Sequence, residues 1–221
     1  MSESVVQPAA PITYTGGDAE RRLAELGIHP DRLRAALDAG DIAARQADEF
    51  HPVMAAGTFR WHATVGELRR GLAEDGWTGS DPRNSPRVTD LTGTNALVPV
   101  RGDADTGVVP GDPRTARPRG TATARSVQIN GQLEFDFTPW LADQAGERDT
   151  TVKTWFLLYH YSTESNELRA ELSLPTHIRE KGIVDGWRER IVLPAHAFGP
   201  DVAVPRDAGG DTDVEFDIEA V

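Results

Sequence analysis

The segment from Val152 to Tyr161 is apolar on both alternating faces, and this pattern predicts a strand in the middle of a β-sheet. A polar stretch, residues 162–166, follows and is typical of a hairpin loop. Residues 167–174 then alternate between polar and apolar side chains, as a strand with one buried face does. The chain is therefore expected to build an antiparallel pair of strands around a fully buried one.

Four further segments carry a strand pattern. They are residues 96–100, 133–137, 187–193 and 214–218. Because most of them lie in the last ninety residues, the sequence predicts an α+β fold in which short N-terminal helices precede a mainly antiparallel sheet spanning about residues 131–220.

Helix signals are confined to the first part of the chain. Residues 15–18 resemble a helix start and Gly27 a helix end, and Pro30 suits the first turn of a second helix. Gly40 and Asp41 interrupt that second pattern, so Asp41 is expected to cap a third segment that runs to about Phe50.

The next helix is expected to begin later. Residues 58–61 have the composition of a short strand or extended arm. Thr64 and Glu67 have the spacing of a capping box, and Gly76 would end the helix that they start. The resulting division is a disordered start (1–14), a helical region (15–77), a central region (78–130) and an antiparallel β region (131–221).

The chain is acidic, with a formal net charge of −12 over 221 residues, and it has no cysteine. Such a chain is repelled by nucleic acids and anionic lipids unless a local basic patch prevails. Disulfides, iron–sulfur clusters and thiolate zinc sites are excluded. The start has neither a basic nor an apolar leader segment, so we expect a cytoplasmic protein that makes no use of a membrane.

No recognised catalytic pattern occurs in the sequence. The chain has no G-x-S-x-G, S-x-x-K or phosphate-binding glycine–lysine motif, and its six histidines do not follow a metal-ligand spacing. Only Glu134, Asp136, Asp149 and Lys153 offer the raw material of a metal-dependent nuclease. We therefore expect no catalytic residues, no metal and no cofactor.

The central region holds the two segments that we single out as a candidate binding surface. Asp103 and Asp105 lie in the turn GDADTG, directly after a predicted strand. Arg114, Arg117 and Arg119 follow on a proline-rich loop, where they could hold a phosphate or a carboxylate. Pairing between one of these aspartates and Arg117 or Arg119 would join the loops, either as a structural contact or as part of a binding surface.

Four stretches resemble a group of conserved bacterial proteins that plasmids, phages and integrated elements carry. The stretches cover residues 61–77, 97–107, 113–137 and 168–194. The resemblance rests on a strand, a T-G-D-x-x-T-G loop, a P-R-G loop, N-x-Q-L and the segment WRERIVLP; here Arg101 stands in place of the first threonine. It implies that the two loops form one unit and that residues 121–130 are helical, and it brings no known activity with it.

Three hypotheses about function remain open. The first is a non-catalytic, protein-binding component of a mobile-element or anti-phage defence system, whose partner is another protein of that system. The second is a nucleic-acid-directed protein, binding or cutting, that uses the arginine-rich central region. The third is an acidic immunity or DNA-mimic protein, which would explain the acidic segment 207–219.

We predict weak binding of duplex DNA. Residues 82–125 carry seven arginines against four aspartates, but the rest of the chain has a net charge of −15, so few phosphates can be neutralised. In fluorescence anisotropy with a random-sequence duplex at about 150 mM salt, we expect a Kd weaker than about 1 µM. Submicromolar binding would place the nucleic-acid hypothesis ahead of the protein-binding one.

Overall fold

The structure is a computed structural model, and it describes residues 10–133, 152–162 and 164–197. The helices are α1 (Gly16–Glu25), α2 (Pro30–Ala44), α3 (Ala55–Ala73) and α4 (Thr121–Leu133). The strands are β1 (Ile12–Tyr14), β2 (Thr78–Ser80), β3 (Arg87–Thr89), β4 (Asn95–Arg101), β5 (Lys153–Ser162), β6 (Glu167–Ile178), β7 (Val184–Val192) and β8 (His196–Ala197).

The strands form one sheet in the order β1-β7-β6-β5-β4-β3-β2, and β8 pairs with the start of β6. The predicted α+β class is confirmed, and β5 and β6 form the expected antiparallel hairpin. The sheet is mixed, however, because β4 runs parallel to β5 and β1 runs parallel to β7. It also draws four strands from outside residues 131–220, so the helical and central regions both contribute to it.

Helices α1, α2 and α3 cover one face of the sheet, which we call the helical face. Its core comprises apolar side chains of the three helices together with alternate residues of the strands, including Leu97, Trp155, Leu157, Leu172 and Ile191. Burial of these side chains is the main source of stability for this half of the molecule.

Helix α4 and the loop that precedes it cover the opposite face, which we call the loop face. Val127 of α4 packs there with Val100, Phe156, Leu158 and Trp187. The expectation that residues 121–130 are helical is met by α4.

A buried asparagine ties α4 to the sheet. The Asn130 side chain donates to the carbonyl oxygens of Thr154 and Pro175 and accepts from the Thr154 N–H, each at 2.9 Å. It therefore contacts both β5 and β6, and it fixes the position of the helix that links the parallel strands β4 and β5.

The predicted starts of α1 and α2 are confirmed. Thr15 precedes α1, and Gly27, with φ of +70°, ends the first helical segment in the left-handed conformation that favours glycine. His29 caps α2 by accepting from the Asp31 N–H, and Pro30 is its first residue. These are local signals, and they determine local structure here.

The predicted break at Gly40 and Asp41 is wrong, because α2 continues through both residues to Ala44. Gly40 lies against α3, where an added Cβ would come within 2.1 Å of the Thr64 hydroxyl oxygen. Asp41 is buried and pairs with Arg45 one turn later and with Arg60 of α3, at 3.6 Å between Oδ1 and Nη2. The glycine and the aspartate thus serve the packing of α2 on α3 and do not end a helix.

The buried Arg60 has a second contact. Its guanidinium carbon lies 3.9 Å from the centre of the Tyr161 ring at the end of β5. Burial raises the pKa of Tyr161, so its hydroxyl stays protonated. Asp41, Arg60 and Tyr161 therefore connect the α2–α3 pair to the sheet.

The predicted extended arm at residues 58–61 is also wrong, because α3 begins at Ala55 and passes through it. Thr64 is buried within the helix and does not cap it. The buried positions, which include Gly57, Arg60, Thr64 and Leu68, follow helical spacing. Because a glycine and an arginine occupy two of the inward positions, the spacing of apolar residues alone does not reveal the helical periodicity.

Two further expectations concern the ends of regions. Ile12–Tyr14 form β1, so the predicted disordered start does not extend to residue 14. Leu133 ends α4, whereas it was expected to begin a strand. The rest of that predicted strand, and the one at residues 214–218, lie outside the described residues. None of the described helices is long and apolar enough to cross a membrane.

We predict that Gly40→Ala lowers the free energy of unfolding by about 1–3 kcal/mol, because the new methyl group would overlap the Thr64 hydroxyl. Gly66→Ala is the matched control on exposed α3 surface, where a Cβ meets no atom within 4 Å. There the loss of glycine should be neutral or raise stability by up to about 1 kcal/mol. Urea unfolding measures both, and equal effects would contradict the proposed close approach.

Candidate functional site

The central loop, residues 102–120, crosses the loop face of the sheet. Its main chain is hydrogen-bonded to β7 and to the turn that precedes β7. Thr115 N–H donates to the Val184 carbonyl at 3.0 Å, and Arg119 N–H donates to the Gly182 carbonyl at 2.8 Å. The Trp187 indole donates to the Pro113 carbonyl at 2.7 Å. The loop is thus held along its length by groups of the sheet.

A buried ion pair lies beneath this loop. Arg190 of β7 donates from Nε and Nη2 to the two carboxylate oxygens of Glu171 on β6, at 3.0 and 2.6 Å. Both side chains are nearly fully buried, at 3% and 0% exposure. Such a pair offsets its loss of hydration only when the remaining polar atoms also find partners.

The central loop and β6 supply those partners. Gly107 N–H and the Ser173 hydroxyl donate to Glu171, at 3.0 and 2.7 Å. Arg190 donates to the carbonyl oxygens of Gly111 and Val108, at 2.6 and 3.2 Å. The ion pair is therefore hydrogen-bonded to main-chain groups of residues 107–111, and these bonds fix the position of that part of the loop.

Gly107 has a backbone requirement at this contact. Its φ is +71°, and an added Cβ would lie 3.0 Å from Cβ of Arg169 and 3.2 Å from the Ala170 nitrogen. The final glycine of GDADTG is therefore explained by close approach of the loop to β6.

The structure brings the two sequence-predicted loops together at Asp103 and Arg114. The main-chain groups pair, with Asp103 N–H donating to the Arg114 carbonyl at 2.9 Å. Asp103 Oδ1 accepts from the N–H groups of Asp105 and Arg114, at 3.2 and 3.1 Å. The Asp103 carboxylate thus closes the turn through main-chain contacts.

The remaining predicted site residues differ in exposure. Asp105 and Arg114 are exposed, Arg117 is half-buried, and Arg119 is buried at 8% exposure. Only part of the arginine-rich loop therefore faces solvent, and its buried member serves the contact with the turn at Gly182.

His160 lies on the loop face next to this turn. Its Nδ1 is 3.4 Å from the Gly102 carbonyl oxygen. Burial lowers its pKa, and the nearby Arg169 and Arg101 act in the same direction. The neutral imidazole is therefore favoured, as expected for a histidine satisfied within a sheet.

No cluster of three or more histidine, aspartate or glutamate side chains within the described part of the chain is placed to hold a metal ion. The Glu171 and Arg190 side chains beneath the central loop are instead paired with each other and with main-chain atoms. The arrangement is that of a structural contact holding a long loop on a sheet.

A group of exposed apolar side chains lies elsewhere, between the last turn of α2 and the start of α3. We call it the apolar tip and define it by Ile42, Phe50, Val53 and Met54, whose exposures are 65%, 87%, 75% and 49%. Four of the seven large exposed hydrophobic side chains of the described residues fall within this short segment. Clustered exposure of this kind marks interaction surfaces.

The turn that carries the apolar tip is ordered by its own hydrogen bonds. Asp48 Oδ1 accepts from the Phe50 N–H at 3.0 Å and contacts His51 Nδ1 at 2.6 Å. The bond from His51, with that from Phe50, lowers the pKa of Asp48. The His51 ring packs edge-on against Phe59 at 5.4 Å. These contacts hold the turn while Phe50 points into solvent.

The sequence does not reveal the apolar tip, because its pattern predicts a helical segment over residues 41–50. The available signal was the run Phe50-His-Pro-Val-Met54, which puts three large apolar side chains around a proline between two helices.

Comparison of the chain with known protein families, with curated proteins and with solved structures gave no match. Function is therefore argued from the surfaces themselves.

We predict that Glu171→Ala lowers the free energy of unfolding by about 3–5 kcal/mol, because it leaves the Arg190 charge buried and unpaired. Glu67→Ala is the control, since its pair with Arg70 is solvent-exposed and such pairs contribute about 0–1 kcal/mol. Urea unfolding measures stability, and limited proteolysis should show cleavage near residues 107–111 in the Glu171 variant alone. Similar losses for the two variants would contradict the anchoring role.

A second prediction separates the acceptor role of Asp103 from its charge. Asp103→Asn keeps an oxygen that accepts from Asp105 and Arg114, so stability should change little. Asp103→Ala removes the acceptor and should cost about 1–2 kcal/mol. If Asn and Ala variants lose stability equally in thermal unfolding, the carboxylate acts through its charge on an arginine of the loop.

Proposed function

We propose that the chain is a non-catalytic, protein-binding component of a bacterial mobile-element or anti-phage defence system, acting in the cytoplasm, and that the apolar tip is its binding surface. The observation that carries this proposal is the joint exposure of Ile42, Phe50, Val53 and Met54 on an ordered turn. A partner that covers these side chains would stabilise the complex by about 25 cal/mol for every Å² of apolar surface removed from water.

Charge around the apolar tip defines the kind of partner. Asp48 and Glu49 are exposed beside Phe50, and the chain as a whole has a net charge of −12. A protein with an apolar contact surface surrounded by basic side chains would complement both features. The same charge disfavours nucleic acid and anionic membranes as partners.

The setting in a mobile element or defence system rests on the resemblance of the four stretches named above. Two of those stretches, residues 97–107 and 113–137, include the predicted loops that lie on the loop face. Their role in the fold is compatible with a shared scaffold that presents a separate binding surface.

The nucleic-acid alternative has less support. It needs the arginines of the central loop at the surface, but Arg119 is buried and its N–H is bonded to Gly182. Arg114 and Arg125 are exposed and Arg117 is half-buried, and so few cations, on a chain with a net charge of −12, are too few for tight binding to a phosphate backbone.

We predict that Phe50→Ser with Val53→Ser weakens partner binding and leaves folding intact, because both side chains are exposed. The test is affinity purification from the native host, identification of the bound protein, and measurement of its Kd with purified components. Loss of central apolar contacts should weaken binding by at least about tenfold.

Leu91→Ser with Val109→Ser is the matched control, since these side chains are equally apolar and are 85% and 52% exposed away from the apolar tip. It should bind like the unmodified chain. If the purified partner binds the tip variant with unchanged Kd, or if the control loses binding equally, the apolar tip is not the binding surface.

A further inference from the structure

A groove of about 190 Å³ runs between α2, β6 and the segment before β8. Its floor is formed by the buried side chains of Leu37, Leu168 and Ala170, with the half-buried Leu193 beside them. We call it the α2 groove. Its apolar floor offers space for a leucine-sized side chain from another molecule.

The polar lining of the α2 groove is mainly acidic. Glu20 and Asp31 are exposed and Asp38 is half-buried at its edge. Arg34 also lines the groove, and its guanidinium is bound to other residues of the lining. It contacts His196 Nδ1 at 2.5 Å and donates to the Pro194 carbonyl at 3.3 Å. An apolar floor with an acidic edge suits an apolar group flanked by cations.

The α2 groove and Ile42 of the apolar tip lie on the same helix. Arg34, Asp38 and Ile42 are spaced four residues apart on α2, so they lie on the same face of the helix. The first two line the groove, and the third belongs to the tip. A partner that covers the tip therefore has a path into the groove.

Net charge disfavours two other occupants of the groove. The chain's own residues 198–221 start directly after β8 but carry seven acidic side chains against one arginine. A second copy of the chain brings a net charge of −12. Both would place negative charge against Glu20, Asp31 and Asp38.

We infer that the α2 groove binds a short segment of a partner protein in which an apolar side chain is flanked by lysine or arginine. This inference rests on the proposed protein-binding function and names the chemistry of the segment recognised. The carboxylates at the edge pair with the cations of the segment, and the floor takes its apolar side chain.

The test uses the full chain and three fluorescein-labelled peptides of about ten residues, which alternate leucine with lysine, leucine with glutamate, and serine with lysine. Fluorescence anisotropy should show binding of the leucine–lysine peptide alone. Asp31→Lys with Asp38→Lys should weaken it by at least about tenfold, because the edge of the groove changes sign. Raising the salt concentration should weaken it too.

The matched control is Asp112→Lys with Glu180→Lys, which makes the same change of charge at exposed positions in the central loop and in the turn between β6 and β7. It should bind the leucine–lysine peptide normally. Equal binding by the groove variant, equal weakening in the control, or equal binding of the serine–lysine peptide would overturn the inference.

Two further outcomes would assign the groove to another occupant and so overturn the inference. Tighter binding of a synthetic peptide of residues 198–221 would make the chain's own C-terminal segment the occupant. Dimer dissociation in Asp31→Lys with Asp38→Lys, measured by sedimentation velocity, would make it a second copy.

The Phe50→Ser with Val53→Ser variant separates this inference from the proposed function. It should keep normal binding of the leucine–lysine peptide, since neither residue lines the groove. If the leucine–lysine peptide binds no form of the chain, the inference about the α2 groove alone is contradicted. If the tip variant leaves the affinity for the partner unchanged, the proposed function alone is contradicted.

Discussion

The ion pair between Glu171 and Arg190 is the interaction on which the loop face depends. It joins neighbouring strands β6 and β7 and bonds main-chain groups of residues 107–111, so one pair of side chains determines where a long glycine- and proline-rich loop lies. Because both charges are buried, their loss of hydration is offset only by their mutual attraction and by the hydrogen bonds to the loop. On the same face Trp187, which donates to the Pro113 carbonyl of the loop, belongs to the apolar cluster with Val100, Phe156 and Leu158.

The helical face uses a different solution to the same problem. Gly40 lets α2 approach α3 closely, and the neighbouring Asp41 meets Arg60 from the facing helix. Arg60 then stacks on Tyr161 at the end of β5. Both faces of the sheet therefore combine an apolar core with a buried ionic contact.

Sequence patterns were sufficient where local chemistry decides the structure. The hairpin of β5 and β6, the ends of α1 and the start of α2 follow from alternation and from capping residues. The patterns failed where a distant partner decides it. The sequence predicts a helix break at Gly40 and Asp41 and an extended arm at Arg60, whereas the packing of α2 on α3 explains all three residues. The parallel pairing of β4 with β5 likewise depends on α4, and the contact of Asp103 with Arg114 runs through main-chain groups that carry no sequence signature. The sequence predicts that the two loops meet, but it does not predict which atoms form the contact.

The parallel pairing of β4 with β5 also bears on the order of folding. Strands β5, β6 and β7 are connected by short turns, so their antiparallel pairings close small loops. Asn95 pairs with Lys153, and Ile12 pairs with Glu189, so the two parallel junctions join residues far apart in the chain. Closing long loops costs more conformational entropy before any contact is gained. Non-local pairings also slow folding. The three-stranded antiparallel unit is therefore the natural nucleus, on which β4 and β1 add later, and a ribosome must have released the chain through Val192 before that nucleus exists.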